Sequence, residues 1–149
     1  MRKIIAILIC IMLITTFAAP ALAVESPQVI SSEKITLGNG ITVTDEIIKE
    51  SSGRATDATY TRRRTFDQDG TIIAVIAFKA TFRYDGSTVS VVSKSVTQTD
   101  TYEGWSYTQN SFTSSGGTVT LSGKLSKLLI FNSSFTMSMT CDKNGNISY

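Results

Sequence analysis

The chain of 149 residues contains no histidine, and cysteine, proline and tryptophan number only two, two and one. Without histidine there are no Ser-His-Asp or Cys-His triads, no histidine-ligated zinc and no imidazole pH switch. So little cysteine and proline excludes a disulfide scaffold and a collagen-like or low-complexity chain. Charge of one sign is also scarce: 14 Lys+Arg stand against 12 Asp+Glu. A nucleic-acid binder would carry a basic excess. The length fits one domain.

Within this sparse composition, the first 23 residues stand apart. Arg2 and Lys3 precede an apolar run from Ile4 to Phe17, and the segment closes Pro20-Ala21-Leu22-Ala23. A basic start, an apolar helical middle and small residues at Ala21 and Ala23 describe a secretory signal peptide, Met1–Ala23, cleaved after Ala23. The alternative is an uncleaved anchor, since Ile4–Ala23 is long enough to span a bilayer. Pro20 and the small-residue exit favour cleavage. The expected location is secreted or extracellular, with membrane contact only through this segment before its removal.

Export changes the arithmetic. Arg2 and Lys3 leave with the leader, so the remaining basic and acidic residues balance. Cys141 becomes the only thiol, which excludes an internal disulfide and points to a buried core cysteine. Ser and Thr contribute 19 residues each to the mature chain, whereas Ala and Leu contribute five each. That is poor material for helices. Thr, Val, Ile, Phe and Tyr suit pleated surfaces instead.

Val24–Lys34 has few apolar residues and is expected to be an N-terminal tail, leaving 35–149 as a single domain. Ile35–Leu37 and Ile41–Thr44 flank Gly38-Asn39-Gly40, a short hairpin connection. Thr59–Phe66 and Thr71–Tyr84 flank Asp67-Gln68-Asp69-Gly70. In the second of these strands Ile72, Ala74, Ile76, Phe78, Ala80, Phe82 and Tyr84 share one parity. Ile73, Val75 and Ala77 open the other, so this long strand is expected to be buried on both sides near its start. Asp85-Gly86-Ser87 turns into Thr88–Thr97. Strands at Trp105–Thr113, Thr118–Ser126 and Phe135–Cys141 follow, with Ile147–Tyr149 as a short last one. Seven to nine short-spaced strands predict an all-β chain. The expected architecture is an antiparallel β-sandwich, immunoglobulin-like or similar, with a barrel as the alternative.

Several constellations invite a chemical reading. Asp67-Gln68-Asp69-Gly70 and Asp142-Lys143-Asn144-Gly145-Asn146 look like fragments of calcium loops. Such loops need about six oxygen ligands including a later acid, which neither supplies, and tight hairpins use the same letters. No metal and no cofactor is expected. Arg62-Arg63-Arg64 suggests an anion site, but a strand sends Arg62 and Arg64 one way and Arg63 the other. A solvated strand whose stems cover apolar surface, of the charged kind found at sheet edges, is the favoured account. Tyr102, Trp105 and Tyr107 cluster around the Asp100–Gly104 turn, and Trp105 and Tyr107 share a strand face. Sugar rings stack on such platforms, while burial of Trp105 as a core anchor is the competing account.

With these features in hand, the chain resembles small secreted Ser/Thr-rich all-β proteins of Gram-positive bacteria. The leader carries the resemblance, together with Leu37-Gly38-Asn39-Gly40-Ile41-Thr42-Val43, Ala80-Thr81-Phe82-Arg83-Tyr84-Asp85-Gly86-Ser87 and Thr140-Cys141-Asp142-Lys143-Asn144-Gly145. It implies compartment and fold, and carries over no site residue.

The expected function is that of an extracellular or cell-surface binding or adhesion domain, not an enzyme. Its ligand would be a cell-wall glycan or a protein surface, contacted by Trp105, Tyr107 and Tyr102. Two alternatives remain: a structural protein that self-associates through strand edges, and a histidine-free hydrolase of cell-wall polymers using a carboxylate pair.

Overall fold

The computed structural model describes residues 26–37, 40–50, 56–128 and 131–149. The expected signal helix Met1–Ala23, its cleavage residues Ala21 and Ala23 and the Gly38-Asn39 part of the first turn lie outside the described residues. Nine strands occur among the described residues: β1 (Gln28–Thr36), β2 (Ile41–Lys49), β3 (Asp57–Gln68), β4 (Thr71–Tyr84), β5 (Val89–Thr101), β6 (Trp105–Ser115), β7 (Thr118–Lys127), β8 (Phe131–Cys141) and β9 (Ile147–Ser148).

The strands form two antiparallel sheets, ordered β1-β2-β3-β4-β5 and β6-β7-β8-β9. The chain is thus all-β, in two sheets that do not close into a barrel. Every neighbour in a sheet is also a neighbour in sequence, whereas the immunoglobulin arrangement mixes distant strands within each sheet. The turns explain this meander. Asp69 and Gly70 adopt φ of 52° and 87°, the left-handed pair whose twist matches a two-residue hairpin. Glu103 and Gly104, at 49° and 77°, turn the chain from β5 into β6 and so from one sheet to the other.

Period-two patterning sets the core. Ile41, Val43 and Ile47 of β2, Ala58, Tyr60 and Phe66 of β3, and Ala74, Ile76, Phe78, Ala80 and Phe82 of β4 are buried on one face of the larger sheet. They join Trp105, Val119, Leu121, Leu125, Met137, Met139 and Cys141 of the smaller sheet in one hydrophobic cluster. On β4, Ile73, Val75 and Ala77 are buried on the opposite parity as well, the double-sided burial its sequence predicts.

The segment expected to be an N-terminal tail is different from Gln28 onward. β1 pairs with β2 along its whole length, with one bulge between Val29 and Ser31. Its low apolar content misleads because an edge strand is held by backbone hydrogen bonds on one side and leaves most side chains in solvent. The folded unit therefore begins near Gln28 rather than at Ile35.

The turns after β1, β3, β5 and β7 share an end, which exposes Leu37, Tyr102 and Leu128, with Ile72 just inside β4. The opposite end carries the Asp85–Thr88 and Asp142–Asn146 turns, whose carboxylates accept their own backbone amides.

Candidate functional site

Antiparallel pairing of β2 with β3 sets Asp45 opposite Arg64 and Ile47 opposite Arg62. All four share the parity of Val43 and Phe66, so they point into the space between the sheets. Asp45 and Arg62 are each 6% exposed. Asp45 Oδ1 accepts from Arg64 Nε at 2.8 Å, and Oδ2 accepts from Arg64 Nη2 at 2.5 Å and Arg62 Nη2 at 3.1 Å. Across the interface, Arg62 Nη1 donates to the Ser138 carbonyl and Arg64 Nη1 to the Thr136 carbonyl, the latter at 3.4 Å. Arg62 lies over the Tyr149 ring and Arg64 over Phe135, at 5.2 and 5.7 Å from the centroids.

Two guanidiniums thus share one carboxylate. Burial pushes the Asp45 carboxyl upward, but the hydrogen bond and charge of Arg64, then those of Arg62, outweigh it and hold the group below its ordinary value. Burial lowers Arg62, and Asp45 partly restores it. The cluster keeps one net positive charge, and Arg62 Nε is buried with no hydrogen-bond partner.

Beside this cluster the sheets part into a half-open cleft of about 240 Å³. Ile35, Leu37, Val43, Phe66 and Phe135 form its apolar walls; Asp45, Arg64, Ser133 and Ser134 supply its polar groups. Phe66 and Phe135 meet at 5.3 Å between centroids, and Tyr107 stacks behind Phe135 at 5.9 Å. Gly123, opposite Phe135 on β7, leaves the space that the Tyr107 ring fills. A second hollow, about 290 Å³, is lined by Ser26, Pro27, Gln28, Lys49 and Glu50. Among the described residues its one acid, Glu50, already accepts from Thr61 and pairs with Lys79, and the lining holds no aromatic ring.

The expected aromatic platform does not form. Trp105 is only 6% exposed, set edge-on against Phe131 at 5.1 Å with Lys127 over its ring. Tyr107 shares its face, as expected, but that face is the inner one; the hydroxyl is buried without a partner, and burial raises its pKa. Tyr102 alone is exposed, at 45%. The reason is position: Trp105 and Tyr107 open the smaller sheet on the parity that meets the core.

The arginine run also departs from a solvated edge strand. β3 is central, Arg62 is buried, and only Arg63 points outward, pairing with Glu46 at 2.8 Å. The two candidate calcium fragments are turns. Asp67 Oδ1 accepts from Gly70 N at 2.9 Å, and both Asp142 oxygens are taken up within its own turn by Asn144 and Asn146. Cys141 is free and 1% exposed, with burial pushing its thiol up to about 11.

Asp45 escaped sequence reasoning, although a signal was present. It interrupts the apolar parity Ile41, Val43, Ile47 as Arg62 and Arg64 interrupt that of Tyr60 and Phe66. Opposite charges on the core faces of adjacent strands point to one another. No family model, no curated protein and no solved structure matches the chain.

Proposed function

We propose that the protein is an exported, extracellular binding domain, a two-sheet sandwich of meander order that takes a small ligand into the cleft between its sheets. Export rests on the Met1–Ala23 pattern. Binding rests above all on the cleft, a concave apolar site in which a few polar groups converge. The acid at its floor is held ionised by two arginines, which suits it to orienting a ligand better than to abstracting protons. The sequence led to an expected cell-wall glycan or protein surface; a cleft of this size favours a small molecule, or one group of a larger one, over a broad protein surface. Tyr102, exposed in the turn before β6, is the one expected contact that a larger ligand could still reach.

Two measurements test this. Mass spectrometry of the protein recovered from culture medium should show a chain starting at Val24; retention of the intact chain in the cells would defeat the export assignment. Titration of isotope-labelled protein with a fragment library should shift resonances of Ile35, Leu37, Val43, Phe66 and Ser133 together. Shifts spread evenly or centred on Tyr102 would refute the cleft.

A second reading has its own observation. β1 exposes Val29, Ile30 and Ile35 at 46–48% and offers a sheet edge for pairing. Self-association through that edge predicts a mass that rises with concentration in light scattering, and a constant monomer mass would dismiss it.

A further inference from the structure

We infer that the cleft is built for a short amphiphile with an acidic head, whose anion meets Arg64 and whose apolar chain lies against Ile35, Leu37, Val43, Phe66 and Phe135. This rests on the cleft being the binding site and specifies what it takes. The charge count is the first support. Arg62 and Arg64 share one buried carboxylate, and an Nη1 of each turns to a backbone carbonyl, that of Arg64 at 3.4 Å. Within the cleft the guanidinium is Arg64, whose Nη1 makes a long bond to the Thr136 carbonyl, and the cluster of two arginines and one aspartate behind it carries a net positive charge. Glu33, across from Asp45 on β1, is exposed and forms no ion pair with either guanidinium among the described residues. A ligand that brings oxygen acceptors and negative charge supplies what is missing, and guanidinium is the group best shaped to receive a carboxylate.

The walls are the second support. Beyond Arg64 the lining is aliphatic and aromatic, and Ile35 and Leu37 stand 47% and 41% exposed at the rim, apolar surface that only an apolar occupant would cover. Size is the third. A half-open volume of about 240 Å³ gives room for a short alkyl chain beside the guanidinium. Ser133 and Ser134 add hydroxyls on the wall contributed by β8.

The test titrates the full chain at neutral pH with octanoate, octanol and octylammonium, following heat by calorimetry and the resonances of the cleft. Octanoate should bind about tenfold or more tighter than octanol, with octylammonium the weakest, because only the acid makes charge-assisted bonds to the guanidinium. Arg64→Met should level acid and alcohol, whereas Ile35→Asp, a rim change on an exposed strand, should weaken both. The comparison of the three probes on the unaltered chain stands even where Arg64→Met fails to fold. Octanol binding as tightly as octanoate, with cleft resonances shifting, would overturn the acidic head and leave the cleft as a binding site. No binding by any of the three would overturn the amphiphile. Cleft shifts with other fragments would then still uphold the site, and their absence would remove both.

Discussion

Replacing Asp45 by Asn tests the charge cluster directly, because it removes the charge while keeping the shape. The carboxylate accepts three hydrogen bonds from two guanidiniums, all within a region where Asp45 and Arg62 are 6% exposed. Asparagine retains one acceptor oxygen and turns an amide donor toward a cation, so the buried Arg62 and the half-buried Arg64 lose their counter-charge. Removing one partner of a buried ion pair costs about 3–5 kcal/mol, much of it the desolvation of the charge left behind. With a urea dependence of about 2 kcal/mol per molar, the unfolding midpoint should fall by about 2 M. Replacing Asp45, Arg62 and Arg64 together by Leu and Met should cost far less, since no orphaned charge remains. The pH dependence carries a sign. Asp45 titrates lower in the folded state than its ordinary 3.8, so its contribution is complete above that value and is lost as pH falls through the folded value. The gap between wild type and Asp45→Asn should therefore be widest near neutrality and narrow in acid. A loss under about 1 kcal/mol at pH 7, or a gap that does not change with pH, would refute the buried cluster.

Three other perturbations probe the packing. A methyl group on Gly117 would meet the Cys141 carbonyl oxygen and stand 2.8 Å from Val89 Cγ1, so Gly117→Ala should cost about 1–3 kcal/mol by chemical denaturation. Trp105→Ala should destabilise by about 3–5 kcal/mol, and in the unaltered protein the emission of this one tryptophan should shift red only on unfolding; red emission from the native state would contradict the buried ring. Cys141, with its thiol raised to about 11, should resist a thiol reagent at pH 8 in the native state and react promptly in denaturant. Equal rates in the two states would show the thiol to be accessible.

Local pattern carried most of the fold. Alternation located β3, β4, β7 and β8 within a few residues, and Asp-Gly pairs marked the turns, because both signals act over two to four residues. β1 was legible only at its end, where Ile35 flanks the hairpin turn; upstream, Val29 and Ile30 sit on an edge where pairing with β2 replaces burial, leaving no periodic signature. The site was half legible. Parity placed Arg62 and Arg64 on one face, yet their partner Asp45 depends on the register that sets it opposite Arg64, which spacing across a turn does not fix. The same limit misdirected the aromatics. Trp105 and Tyr107 do share a face, but which face meets the other sheet is decided by the packing of the whole cluster, including Ile76, Phe78 and Phe82 of β4, and not by local pattern.

The strictly sequential strand order has a kinetic consequence. Each pairing within a sheet closes a connection between consecutive strands, so the entropy lost in bringing partners together stays small. Only the docking of the two faces joins segments distant along the chain, and such local topologies tend to fold fast for their class. A chain delivered end first, from a ribosome or through a narrow channel, can zip β1 to β5 strand by strand before β6 emerges. The smaller sheet then has a finished template to close against.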